Sequence, residues 1–190
     1  IGSNALSANT TNNNTAVGAS SLQTIDGAEN TAVGVSALAA DCVSSNTAVG
    51  YYALTGFTGS DATAIGVYAA DVAGSQTNLT AVGKNALGLS TSGNNNTAVG
   101  ATSLQTVDGA ENVAVGANAL AADCVSNNSA VGYNALNVFI GSNATAIGAY
   151  AADVAGSQSG LTAVGKDALG AATSGHYNTA VGAASLGTVD

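Results

Sequence analysis

The sequence predicts an all-β protein, a parallel β-solenoid, and three observations carry that reading. A short motif returns at a near-constant interval along the whole chain. The motif alternates with period two and ends in glycine, as a short strand leading into a turn does. The residues between copies are rich in Asn, Ser, Thr and Gly, which oppose helix.

The strand element comes first. Ala-Val-Gly or Ala-Ile-Gly occurs eleven times, centred on Val17, Val33, Val49, Ile65, Val82, Val99, Val115, Val131, Ile147, Val164 and Val181. The spacings run 16, 16, 16, 17, 17 and then repeat in the same order. Ile1-Gly2 opens a twelfth copy. Five residues after each centre stands a second apolar position: Leu6, Leu22, Leu38, Leu54, Ala70, Leu87, Leu104, Leu120, Leu136, Ala152, Leu169 and Leu186. The reading of one coil is therefore strand, tight turn, a second short strand carrying Ala/Ser-Leu, and a looser loop.

Such a coil cannot bury a face alone, so like coils stack and bond to one another. With 16–17 residues per coil, a flattened two-sheet β-roll of about 12 coils is expected. At the strand spacing of about 4.8 Å the stack would extend about 55–60 Å. A narrow core suits the abundance of Ala, Val and Gly and the absence of Met and Trp.

The spacing series defines a superrepeat of five coils and 82 residues. Its copies span about 14–95 and 96–177, with a partial third at 178–190. Cys42 returns as Cys124, Lys84 as Lys166 and Asp71 as Asp153. Residues 1–190 read as one continuous solenoid segment of a longer repetitive chain.

Thr-Ala-Val-Gly and Asn143-Ala-Thr-Ala-Ile-Gly148 resemble the head repeats of YadA-like trimeric autotransporter adhesins, and similar repeats of phage tail fibres. The resemblance covers the whole chain. It implies a left-handed parallel β-roll, three chains side by side, and display on a cell or virion surface as an adhesive head or fibre.

The residues themselves nominate several sites. Thr15 and Val17 share one strand face and Ala16 the other; the sequence leaves open which is interior. If Ala lines a thin roll, the Val/Ile column is an apolar stripe suited to an interface with further copies of the chain. On the reading that this column is packed, Val99→Asp should abolish the β signal. The parallel Thr column (Thr15, Thr31, Thr47, Thr63, Thr80, Thr97, Thr145, Thr162 and Thr179) is either a packing ladder or an ice-binding array. The Asn column (Asn14, Asn30, Asn46, Asn96, Asn112, Asn128 and Asn178) reads as a ladder of stacked amides.

Asp26, Glu29 and Asp41 are a weak calcium candidate, set against an Asp-Gly turn with solvated charge. Cys42 and Cys124 lie five coils apart, about 24 Å at the strand spacing, too far to bridge each other. Each is either a buried small residue or an interchain disulfide partner. The aromatics Tyr51, Tyr52, Phe57 and Tyr68, echoed by Tyr133, Phe139 and Tyr150, either cap the core and pack a subunit contact or stack on sugars. Sequons occur at Asn9, Asn13, Asn78, Asn95, Asn127 and Asn143, close to the number expected by chance in a chain so rich in Asn, Ser and Thr.

Composition narrows function. The 190 residues carry eleven acidic groups against two lysines, a net charge of −9, and 7% charged residues in all. No basic patch exists for nucleic acid, and no apolar run is long enough to span a bilayer. The one histidine, His176, stands where the preceding block has Asn94, and no nucleophile–base pair accompanies it. The expected role is therefore structural and extracellular, without cofactor or catalysis. The chain reads as a stiff fibre or adhesin-like head, a homo-oligomer as trimer or filament, with a surface or glycan as possible target.

Overall fold

The computed structural model describes residues 1–8, 10–24, 26–72, 74–153, 156–170 and 175–187. It is a parallel β-solenoid. Eleven three-residue strands form one sheet: β1 (Thr15–Val17), β2 (Thr31–Val33), β3 (Thr47–Val49), β4 (Thr63–Ile65), β5 (Thr80–Val82), β6 (Thr97–Val99), β7 (Val113–Val115), β8 (Ser129–Val131), β9 (Thr145–Ile147), β10 (Thr162–Val164) and β11 (Thr179–Val181). They lie side by side in chain order. Every pairing is parallel and in register, so Thr31 meets Thr47, Ala32 meets Ala48 and Val33 meets Val49. The 17-residue coils keep this register: Ser60 pairs with Thr77 and Ser142 with Ser159 just before the strands, so the extra residue is taken up earlier in the loop.

The interior face belongs to alanine. The central Ala of every strand is buried, while Thr and Val flank it on the outer face. A methyl group is all that the narrow interior admits at the sheet.

The opposite wall differs from the expected second strand. Each Gly-x-x-Ala/Ser segment is a turn in which the fourth residue's N–H returns to the glycine carbonyl, as Ala37 to Gly34 at 3.4 Å. The third residue of that turn has positive φ, as does the leucine that follows: 52° at Ser36 and 50° at Leu38, 54° at Thr102 and 48° at Leu104. Two such residues so close together cannot make a strand. The wall is instead a ladder of turns, joined coil to coil by bonds such as Leu38 N–H to Ala53 O at 3.0 Å. The flattened two-layer section survives with one sheet and one turn ladder.

This geometry explains why the second apolar column holds Leu, or Ala at Ala70 and Ala152, and never Val or Ile. A β-branched side chain is poorly tolerated at positive φ, whereas Leu branches one carbon further out. Leu22, Leu38, Leu54, Leu104, Leu120, Leu136 and Leu169 are fully buried. Ile1 and Gly2 bring the first turn into the stack, with Gly18 N–H bonded to Ile1 O at 2.7 Å and Leu6 N–H to Ser21 O at 3.1 Å.

Glycine after β1 to β10 is compulsory on two counts. At Gly83, φ is 134°, and a Cβ there would lie 2.6 Å from the carbonyl of Gly100 in the next coil. Only glycine satisfies both the conformation and the close approach.

The loop wall completes the core with Cys42, Phe57, Val107, Cys124 and Phe139. A buried amide ladder runs beside it. The Asn30 carbonyl oxygen Oδ1 accepts from Asn46 N–H at 2.8 Å, and Asn46 Oδ1 accepts from Ala62 N–H at 3.0 Å. Asn96, Asn112, Asn128 and Ala144 repeat the series in the next block. Ala62, Leu79, Ala144 and Leu161 occupy this column where the sequence lacks Asn, and Phe57 or Phe139 fills the core nearby.

Candidate functional site

The outer face of the sheet is the most regular surface of the molecule. No strand residue carries a charge. From Val17 to Ile147 the Val/Ile column is 36–46% exposed, apart from half-buried Val82. Val164 is also half-buried, and Val181 is exposed. Beside it runs the Thr column, interrupted by Val113 and Ser129, with its side chains half-buried or exposed. Val35, Tyr51, Val67 and Tyr133, each just after a turn glycine, widen the apolar area at one edge. An apolar row of this length on an uncharged sheet is unusual for a surface left in water.

The outward setting of the Val column corrects one expectation. Val99 lies on the surface of the chain, so an aspartate there meets solvent rather than core, and the reasoning that it destroys the β signal does not hold for the chain alone.

The acidic residues form staples between coils. Asp41 Oδ1 accepts the N–H of Asp26 at 3.0 Å, and Asp26 Oδ1 accepts the Thr10 hydroxyl at 3.1 Å. In the next block Asp108 Oδ1 accepts Thr91 N–H at 2.9 Å and Ser92 N–H at 3.2 Å. The Thr91 N–H bond is the main reason that the Asp108 carboxyl is held below its usual value. Asp26 and Asp41 thus meet, lining a shallow pocket with Gly27, Cys42, Val43 and Ser44. Glu29 does not complete a trio: among the described residues no three His, Cys, Asp or Glu side chains converge as a metal would need.

Cys42 and Cys124 are both buried in the core, 2% exposed. Burial pushes the thiols up to about 11 and about 12. They are protonated at neutral pH and poor nucleophiles. A bridge to another chain would require a core thiol to turn outward.

The aromatics divide by type. Phe57 and Phe139 lie in the core. The tyrosines stay on the surface: Tyr51, Tyr52 and Tyr68 form one cluster, with ring centroids 4.4–5.7 Å apart, and Tyr133 meets Tyr150 at 5.3 Å.

His176 does what Asn94 does one block earlier. His176 Nδ1 accepts Ser159 N–H at 3.1 Å, and Asn94 Oδ1 accepts Thr77 N–H at 2.9 Å.

No protein-family model, curated protein or solved structure matches the chain. The geometry therefore has to speak through its own chemistry.

Two features escaped the sequence reading. One is the positive-φ position two residues before each strand. It is filled by Asn13, Glu29, Ser45, Asp61, Asn78, Asn95, Glu111, Asn127, Asn143, Gly160 and Tyr177. Asn suits that conformation and Thr suits the strand start, so the fold itself generates Asn-x-Thr/Ser. Five sequons are this coincidence; Asn9 lies outside the described residues. The other is a side-chain ladder on the turn edge, where the Thr102 hydroxyl meets Asn118 Oδ1 and Asn118 Nδ2 donates to Asn134 Oδ1 at 3.0 Å. The recurrence of Asn, Ser, Thr and Tyr two residues after most of the strand-ending glycines was its only signal.

Proposed function

We propose that this chain is a rigid, non-enzymatic segment of an extracellular fibre or adhesin-like head, and that it self-associates through the Thr/Val face. The observation that carries the reading is the exposed Val/Ile row on an uncharged sheet. Rows of this kind mark interfaces, and a parallel copy would meet it with the same one-per-coil spacing. The hydrogen-bonded coils give stiffness that grows with copy number. The likeness to trimeric adhesin heads favours three chains and display on a cell or virion surface, with a glycan or another surface as target.

Native mass by light scattering, followed by electron microscopy, tests this. A discrete species near three times 17.9 kDa is the expected result. Long fibres that survive dilution would make the chain a filament subunit instead, and shortening by reductant would give Cys42 and Cys124 an interchain role. A stable monomer at high concentration would defeat self-association.

A second reading is supported by the Thr column. Among the described residues its hydroxyls have no hydrogen-bond partner within the chain, and they stand in register from coil to coil beside the Val/Ile column. A flat array of hydroxyls and methyls suits ice. Thermal hysteresis in a monomeric preparation, lost on Thr97→Lys, would establish it.

A further inference from the structure

We propose that the turn edge beside the sheet is a binding track for a neutral polysaccharide, running along the solenoid axis between two tyrosine clusters. This rests on the surface-display reading and names the class of ligand displayed to.

The clusters occupy equivalent places in successive superrepeats. Tyr51, Tyr52 and Tyr68 form the first; Tyr133 and Tyr150 form the second. The two lie five coils apart, about 24 Å at the strand spacing. Tyr51 and Tyr133 are 44% and 49% exposed. The pairs Tyr51–Tyr68 and Tyr133–Tyr150 meet edge to face, at 88° and 81°, so each cluster presents ring faces and phenol hydroxyls together.

These tyrosines are kept where the backbone disfavours them. Tyr52, Tyr68 and Tyr150 have φ of 58°, 55° and 59°. Most other coils place Asn, Ser, Thr or Asp at that position. A bulky ring at positive φ costs stability and here gains no core burial. These half-buried rings pack against the exposed Tyr51 and Tyr133, and strain retained to hold a surface aromatic cluster points to a ligand.

The stretch between the clusters supplies the polar half of the site. Thr102, Asn118 and Asn134 form a hydrogen-bonded row on the same edge. Their amides and hydroxyl offer donors and acceptors to sugar hydroxyls, while tyrosine faces suit the apolar C–H face of a pyranose. The only lysines, Lys84 and Lys166, adjoin the track, and Lys166 is paired with Asp167 at 2.8 Å. That is too little positive charge to select a polyanion. A linear, uncharged, hydroxyl-rich chain fits both halves of the edge.

The absence of Trp makes tyrosine emission a direct reporter, since five of the six tyrosines belong to the clusters. The whole chain would be titrated with a soluble α-glucan, β-glucan, mannan, xylan and galactan. Affinity electrophoresis would be run alongside, and light scattering would report the oligomer separately. One polysaccharide is expected to shift the emission and retard migration. Tyr51→Ala with Tyr68→Ala should weaken it about tenfold or more, while Tyr177→Ala leaves it unchanged. Fragments too short to span both clusters should bind less tightly. Tyr68→Asn guards against simple unfolding: Asn accepts the positive φ, so this variant should melt no lower than the parent and still bind less. The proposal fails if no polysaccharide changes emission or migration, or if binding survives loss of both tyrosines. It fails equally if the emission responds only to protein concentration, which would make the edge a contact between copies. Failure with the expected oligomer intact would leave the structural reading standing.

Discussion

The N–H of Asn112 donates to the side-chain oxygen of Asn96, one coil earlier, at 2.9 Å, and Asn112 Oδ1 accepts the N–H of Asn128 at the same distance. One fully buried side chain thus satisfies a backbone donor that its own coil leaves unpaired. Asn112→Ala should strand the Asn128 N–H in the core and cost about 2–3 kcal/mol. Urea denaturation checks this. An effect below that of a surface mutation would mean that water replaces the amide.

Gly83→Ala should be far more damaging. The new methyl would meet the Gly100 carbonyl at 2.6 Å, at a φ of 134° that alanine avoids. A loss above about 4 kcal/mol is expected, the range of severe core defects. Gly88→Ala is the control: its Cβ would be 3.2 Å from Asn85 O without a positive φ, so the loss should be much smaller. Thermal melts followed by circular dichroism compare the two.

Leu104→Ile tests the left-handed column. Swaps of this kind in an ordinary core cost less than about 1.5 kcal/mol. At φ 48° the β-branch adds backbone strain, and a total of about 2–4 kcal/mol is expected. Leu104→Met, unbranched at Cβ, should stay within the ordinary limit. Equal melting points for the two variants would refute the strain argument.

Buried thiols give a pH dependence of definite sign. Cys42 and Cys124 rise from 9.0 to about 11 and about 12. The folded state holds these protons more tightly than the unfolded state. The stabilisation is therefore fully present below pH 9 and is lost as pH rises from 9 through 11 to 12. Cys42→Ala with Cys124→Ala should flatten the decline in melting temperature over that window. An identical decline in the double variant would assign it to other groups.

Val99→Asp and Val115→Asp separate fold from assembly. Both side chains are on the outer face. The β signal should persist, while light scattering should show dissociation, because an unpaired charge in a buried interface costs several kcal/mol. Assembly unaffected by both changes would move the interface elsewhere.

Periodicity made the solenoid legible. A glycine every 16 or 17 residues and an alternating Thr-Ala-Val fixed strand, turn and stacking. It could not say that Ala16 faces in and Val17 out, because both are apolar and their order along a strand is symmetric. It also misplaced the Leu column in a second strand: positive φ at Ser20 and Leu22 follows from coil closure, and neither residue type announces it. Tyrosine and phenylalanine looked alike in the sequence, whereas the core took Phe57 and Phe139 and left the tyrosines half-buried or exposed. Asp26 and Asp41 were correctly placed as neighbours, but their carboxylates are engaged with backbone and hydroxyl groups, which spacing alone does not reveal.

The in-register pairing of each strand with the next has a kinetic consequence. Closing one further coil always encloses 16 or 17 residues, whatever the total length. The entropic cost of each closure is then nearly constant, unlike a sheet whose partners lie ever further apart in sequence. Growth can proceed by zipping from any nucleus, one coil at a time, and a chain lengthened by whole superrepeats would fold at much the same pace per coil. Such a scaffold can extend its reach without slowing its own formation.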